Sequence, residues 1–531
     1  MQVIKPNTVG LTDGSFTRAS TGTFTDIDGS LKTAAINIPR FNYDFNTGQF
    51  QGVLFEPAAT NLATFSEDLT NAAWVKTNTT ITANAITGPD GVTTADRVVD
   101  SAAGVSSLVR SFAVTSGTVY GASVFVKPDT YNSITLGFRN TNSAFVTTSI
   151  RINATTGAVM QIVGTPVSTK VSKMINGYYR VEIALAATAT ATGEIEILIS
   201  NSDNVETVGN GLYVWGLQFE TTRVTSYIPT TTTTVTRAAD SVTGTNLLYS
   251  TATDPNAVWS SATTYSITQK VRYNNQVYES LQNSNLNKQP DTNPTFWLNL
   301  GYDNIHAQFD ASTSTPTSGT AEVTFLVKQA SIDAIALINL DCFVAEVAVV
   351  DQTTGTLLMS STYGLTGGNV VDWYQYFFFD PLTKRSQIVI PGVPPAVNSL
   401  ITIRLKTSPG TPVSLGTYIG GVTTSLGTLQ TSPSVGIIDY SRKETDEFGK
   451  TTFVQRAFSK RLSAEIWFNN TALNTVQRYL TSIRATPVVW VGSTDPEYEE
   501  ALVVYGFYRD FSTTIAYPQV SMCSLEIEGL T

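Results

Sequence analysis

Few residues in this chain are of types that do chemistry, and most of those are aromatic. Trp259, Tyr273, Tyr278 and Trp297 fall between residues 257 and 301, with Tyr265 and Phe296 among them. Such rings can stack on the apolar faces of sugars. They can equally make the core of a very small domain, since each buries a large area. Trp373 and Tyr374, between Asp372 and Tyr376, could line a ligand groove. The run Phe377, Phe378, Phe379 beside them reads as buried on both faces or against another subunit. Glu194 and Glu196 stand two residues apart and share one face of a strand. Paired carboxylates are glycosidase equipment, but on a strand such a pair more often marks its wet side. Only one histidine is present, His306. Histidine metal clusters are therefore absent, and any Ser-His-Asp or Cys-His site would have to be built around it. Asp495, Glu497, Glu499 and Glu500 around Pro496 read as a solvated acidic loop, and Asp26-Ile27-Asp28-Gly29 as a turn. No glycine-rich phosphate loop follows a strand. The expectation is no catalytic residue, no metal, no cofactor and no enzyme.

The elements that must position these residues are strands. Of 531 residues, only 14% are charged, and short apolar runs alternate with Gly, Asn and Thr turns. That texture predicts a mainly β, multidomain chain whose surface is covered by hydroxyls and amides. The formal net charge of −10 argues against nucleic acid, which needs clustered Lys and Arg. No apolar run is long enough to span a membrane. The N-terminal Met-Gln-Val-Ile-Lys-Pro lacks the apolar core of a signal peptide. Cys342 and Cys523 each sit in apolar, strand-like sequence and are expected to be buried free thiols.

Six segments follow. Residues 1–60 read as an irregular N-terminal arm, and 61–243 as a jelly roll. Its strands include Gly121–Lys127, Tyr178–Ala184, Leu212–Phe219 and Glu194–Ile199, where Ile195, Ile197 and Ile199 share a face. Residues 244–256 form a linker, 257–301 the small aromatic β module, and 302–430 a second β-sandwich. Residues 431–531 read as an α+β domain. Its helix is predicted over Ala472 to Arg484, with Leu473, Val476, Leu480 and Ile483 on one face, a cap among Asn469, Asn470 and Thr471, and Pro487 as the stop.

Two stretches bracket the first 240 residues. One reads Phe16-Thr17-Arg18-Ala19-Ser20, Asp26-Ile27-Asp28-Gly29, Pro39-Arg40-Phe41, Asn61-Leu62 and Asn71-Ala72-Ala73-Trp74. The other reads Trp215-Gly216-Leu217-Gln218-Phe219-Glu220, Thr225-Ser226-Tyr227-Ile228-Pro229-Thr230 and Val235-Thr236-Arg237-Ala238-Ala239-Asp240. In order and content they resemble the N-terminal concanavalin-like jelly roll of bacteriophage tail and fibre proteins, a module usually described as carbohydrate-binding. The aromatic stretch 257–301 resembles the small chitin-binding type modules of chitinases and phage tail proteins. It departs from them where Thr268-Gln269 replaces a Gly-Asp turn, and it lacks their paired Trp segment, so it reads as spacer or sugar site. The C-terminal segment resembles regions of tail-tip and minor tail proteins, which implies a docking domain.

These resemblances imply a virion protein of a tailed phage, at the tail tip or baseplate or in a fibre. It would be made in the host cytoplasm and would contribute to recognition of host-surface glycans. The implied partners are other tail proteins, bacterial surface glycans and further copies of the chain, a trimer by analogy with fibres. The sugar-contact candidates are Trp259, Tyr273, Tyr278, Trp297, Trp373 and Tyr374. A purely structural tail component and a tail-associated glycan depolymerase are the alternatives.

Overall fold

A computed structural model describes the chain except residues 8–12, 45–46, 175, 202, 204, 366–376, 378–383, 446, 450, 516 and 531, and the side chains of 496 and 497. Trp373 and Tyr374 lie outside the described residues. The protein is mainly β and divides into two compact units, Ser15–Thr243 and Met1–Gly14 with Gly244–Thr531.

The first unit is a jelly-roll sandwich. With β1 (Gln2–Pro6) in the other unit, its strands are β2 (Val75–Thr77), β3 (Thr79–Thr87), β4 (Thr93–Asp100), β5 (Ser107–Val114), β6 (Val119–Pro128), β7 (Ser133–Arg139), β8 (Thr148–Asn153), β9 (Val159–Val163), β10 (Ser168–Lys173), β11 (Tyr179–Ala186), β12 (Ala191–Ser200) and β13 (Gly211–Thr221). One sheet has the order β10-β11-β6-β13-β4-β3 and the other β9-β8-β7-β12-β5-β2. Strict alternation sends Ile195, Ile197 and Ile199 of β12 inward, each under 2% exposed, against Val124, Val181 and Val214 of the facing sheet. The first sheet is apolar on its outer face too, where Phe125, Met174, Tyr178, Trp215 and Tyr227 form a second cluster. An outer apolar face must be covered, and the segment expected to be an irregular N-terminal arm helps to cover it. Residues 15–61 and 225–243 pack as part of this unit, closed by short pairings of Ser15–Thr17 with Ser241–Thr243 and of Ala59–Asn61 with Val235–Arg237. The turn Asp26–Gly29 closes a hairpin between Gly22–Thr25 and Leu31–Ala34.

The start of the chain departs from the expected arm in another way. Strand β1 (Gln2–Pro6) lies between Pro412–Ser425 and Val488–Val491, antiparallel to both, inside an eleven-stranded sheet. That sheet takes strands from both 302–430 and 431–531, which were expected as separate domains. β1 is the seam between them, with Val3 and Ile4 buried on opposite faces. A five-stranded sheet (Asn246–Ser250, Glu322–Gln329, Ser399–Lys406, Val344–Asp351, Leu357–Gly364) encloses a further core with it.

The helix α1 forms over Leu473–Ser482, preceded by a tight turn at Asn470–Ala472 that the Asn469 side chain caps by accepting from the Thr471 N–H. Val476, Leu480 and Ile483 face the core as expected. The acidic loop around Pro496 is instead a second helix, α2 (Pro496–Leu502). Glu499 is 2% exposed there and takes an ion pair from Arg385. Cys342 and Cys523 are free and buried. No described helix is long and apolar enough to cross a membrane.

Candidate functional site

Both stretches that bracket the jelly roll contribute to one buried ionic knot. Arg40, fully buried, reaches Glu56 (Nη1 to Oε2, 2.8 Å) and Asp240 (Nη2 to Oδ2, 2.5 Å), and also donates to the Ser226 hydroxyl and the Thr23 carbonyl. Arg18 donates to the other oxygen of Asp240 at 3.2 Å and to the Ala35 carbonyl. Arg237 lies 3.4 Å from Glu56 and donates to the Pro57 carbonyl. The Asp240 carboxylate also accepts the Glu56 N–H, and Glu56 accepts the N–H and hydroxyl of Ser226. Desolvating charges costs several kcal/mol per ion, and only such dense pairing offsets it. Burial by itself would raise the Glu56 carboxyl, but the Arg40 and Arg237 guanidiniums and Ser226 pull it down to about 2.

Neutral residues of the same stretches work alike. Asn61 donates to the Leu217 and Ile228 carbonyls and accepts from the Ala63 and Phe219 N–H groups, which saturates its amide. Gln218 ties Glu220, Thr225 and Ser226 and accepts the Ile228 N–H. Gly216, at φ 66°, sits where a Cβ would meet Phe125 and Tyr227 at about 3.1 Å, so the bulge that seats Trp215 requires glycine.

The knot holds one wall of an open cleft over β10, β11 and β6. The floor carries Lys170 and Ser172 of β10, Arg180 and Glu182 of β11, and Phe125 of β6. Phe24, Asn42, Glu56 and Ser226 make the opposite wall, and the cavity measures about 170 Å³. Alternation explains the floor: Val181 and Ile183 point into the core, so Arg180 and Glu182 must point out. Arg180 is fixed rather than free. It donates to Ser123 Oγ and the Thr225 carbonyl, both at 2.9 Å, and its guanidinium lies 5.3 Å from the Phe125 ring. Glu182 is 3.8 Å from Arg180, too long for a hydrogen bond, and Lys170 is exposed. The cleft therefore offers the exposed Lys170 ammonium and the loosely paired Glu182 carboxylate beside the half-buried ring of Phe24, while Phe125 is buried beneath Arg180; such a lining suits a small polyhydroxylated ligand.

The aromatic residues singled out by type behave differently. Tyr278 (5% exposed) and Trp297 (2%) belong with Tyr265 and Val271 to the core of the small module. A ring enclosed on both faces has no surface for a sugar, which corrects the expectation for these two. Trp297 also donates its indole N–H to the Lys288 carbonyl. Trp259 and Tyr273 are half-buried and meet edge-to-face, 5.5 Å apart at 83°, which is not a flat platform. Glu194 and Glu196 both face Arg139 at 3.7 Å on the outer side of their sheet. His306 is held between Asp303 (2.6 Å) and Asp13 (3.0 Å) and is buried, as a structural histidine. A larger cavity of about 250 Å³ near Lys460 and Glu500 has its lysine already satisfied by Gln387 and Glu500. Sequence reasoning missed Lys170, Arg180 and Glu182; the available signal was charge on the outward face of strands next to aromatic outward residues of the same sheet.

No protein-family model matches this sequence, and no curated protein sequence matches it. Among solved structures, it is similar to the N-terminal CBM22-1–CBM22-2 tandem domain of Paenibacillus barcinonensis Xyn10C. The TM-score is 0.22 at 10% identity, covering 70% of this chain and 99% of that one. A superposition that loose bears on neither ligand nor family.

Proposed function

We propose that this chain is a non-catalytic glycan-binding protein, with the cleft over Lys170, Arg180 and Glu182 as its sugar site. The observation that carries the reading is the cleft itself, where Lys170 and the loosely paired Glu182 sit beside Phe24 on a rigid sheet face. Hydroxyl-rich ligands are bound through such groups at fixed spacing, and the apolar face of one sugar ring would rest on Phe24. The setting, a tail-tip, baseplate or fibre protein of a tailed phage with residues 431–531 docking to the particle, rests on the resemblance of the bracketing stretches. Weak single sites would then gain strength from several copies engaging one surface.

The test is binding of the full chain to a panel of bacterial surface polysaccharides. A Lys170→Ala/Glu182→Ala variant should bind about tenfold more weakly, the loss expected for hydrogen bonds to charged groups. Antibody labelling of purified particles checks the setting separately. One observation favours a second reading, a purely structural component: the small module has turned Tyr278 and Trp297 into its own core. Absence of binding by the unmodified chain across the panel would select it.

A further inference from the structure

Strand β9 is the outermost strand of its sheet, and all five of its residues are exposed. Four are large and apolar: Val159 (49% exposed), Met160 (39%), Ile162 (46%) and Val163 (39%). Its neighbour β8 is buried on the same face. Ile162 pairs with Ile150 and Val159 with Ile152, yet Ile150 and Ile152 are fully buried. The sandwich core thus continues onto β9 and stops uncovered.

Edge strands normally carry charges, prolines or cover that keep other chains from pairing with them. The edge of the facing sheet follows that rule, since β10 carries Lys170 and Lys173. β9 does not. From Ile152 to Thr169 there is no Lys, Arg, Asp or Glu, in a chain of net charge −10. A charged partner finds nothing to recognise there, whereas a second copy meets no like charge. The strand is also self-complementary. Antiparallel pairing about Gln161 sets Gln161 opposite Gln161 and Met160 opposite Ile162, and a two-fold axis normal to the sheet keeps each face matched. The register shift between Arg151 and Ile152 makes Met160 the extra residue of a β-bulge, which adds twist at one end of this edge and leaves Gln161, Ile162 and Val163 in regular pairing with β8.

We propose that two copies of this chain associate through β9, running the six-stranded sheet of one jelly roll antiparallel into that of the other. Apolar contact between Met160 and Ile162 across the dyad covers the open end of both cores. Main-chain hydrogen bonds fix the register.

Sedimentation of the full chain over a dilution series tests this, with two variants. The unmodified protein should show a dimer that dissociates on dilution. Ile162→Lys places two ammonium groups in the contact and should weaken association at least about tenfold, while its far-ultraviolet spectrum and melting stay those of a folded chain. Gln161→Cys needs no loss of folding to be read. Opposed residues of antiparallel strands have Cα atoms about 4.5–5.5 Å apart, within disulfide range. Mild oxidation should therefore give a covalent dimer, with Cys342 and Cys523 buried and out of competition. A monomer at every concentration overturns the proposal. So does an oligomer that Ile162→Lys leaves intact and Gln161→Cys does not cross-link.

Discussion

The knot in the jelly roll and the aromatic module at 257–301 drew attention for the same supposed reason, sugar recognition, and the structure uses them differently. In the jelly roll the conspicuous residues Arg18, Arg40, Arg237 and Asp240 are buried clips, and the cleft they support is lined by plain strand residues. In the small module the conspicuous residues are the core, with a half-buried edge-to-face pair at its border. A short chain segment must spend its large rings on cohesion. A sandwich with two sheets already has a core, so polar residues on its outer face can line a cleft against the segments that cover the rest of that face. Ordered motifs in a β protein mark what holds a site in place more readily than the site.

The largest expected effect breaks the knot. Arg40→Ala leaves Glu56 and Asp240 buried beside fewer cations and should cost about 4 kcal/mol. Unfolding in urea would show the loss, and limited proteolysis should cut first in residues 15–60. A fall smaller than about 1 kcal/mol would mean the knot is dispensable. Trp297→Ala comes next, at about 3 kcal/mol for a large buried ring. Its effect should be confined: amide exchange should quicken across 257–301 and stay unchanged in β5 to β13. If the jelly roll loosens as well, the contrast between a cohesive module and a self-sufficient sandwich is wrong.

Legibility in the sequence followed the range of the interactions. Ile195, Ile197 and Ile199 declared their face because alternation is local, and Val476, Leu480 and Ile483 declared theirs for the same reason. The bracketing stretches were legible as an ordered set, but not their pairing of Arg40 with Asp240, which lies 200 positions further along the chain. β1 was illegible because Gln-Val-Ile-Lys-Pro is too short and polar to announce a central strand, and its partners lie near residues 422 and 490. The acidic stretch at 495–500 read as solvated because Arg385, the partner that lets Glu499 be buried, is remote in sequence. Arg180 and Glu182 carried no signal of their own in the sequence: they alternate outward on their strand, and only the wall opposite makes that side a cleft.

A pH titration sharpens the comparison between these charge sites. Burial opposes protonation of His306, but the hydrogen bond and charge of Asp303, with Asp13 beyond, raise its pKa above the usual value. Arg272 stands 3.6 Å from Asp303 and 3.9 Å from Asp254. A raised folded pKa means the histidine's contribution is complete below its unfolded value of about 6.5 and fades as pH rises through the folded one. Glu56 runs the other way: its depressed pKa contributes fully above the unfolded value and fades as pH falls toward 2. Stability of the unit holding His306 should therefore decline on the alkaline side, and His306→Gln should abolish that decline while leaving the acid-side loss of the jelly roll, set by Glu56, unchanged. A decline that survives the substitution would assign it elsewhere.

The smallest expected effect concerns the turn where the aromatic module departs from its look-alikes. Thr268 holds φ at 69°, a left-handed conformation that a β-branched residue adopts only under strain. Its side chain is exposed, and its N–H donates to the Ser280 carbonyl at 2.8 Å, so the conformation is imposed by the hairpin rather than by any side-chain contact. Glycine keeps that donor and removes the strain, at the cost of a more flexible unfolded chain. Thr268→Gly should therefore stabilise the module by about 1 kcal/mol, read as slower amide exchange in 257–301 without change in the jelly roll. An unchanged or weaker module would mean the strain is relieved elsewhere, and that this turn is tuned for something other than cohesion.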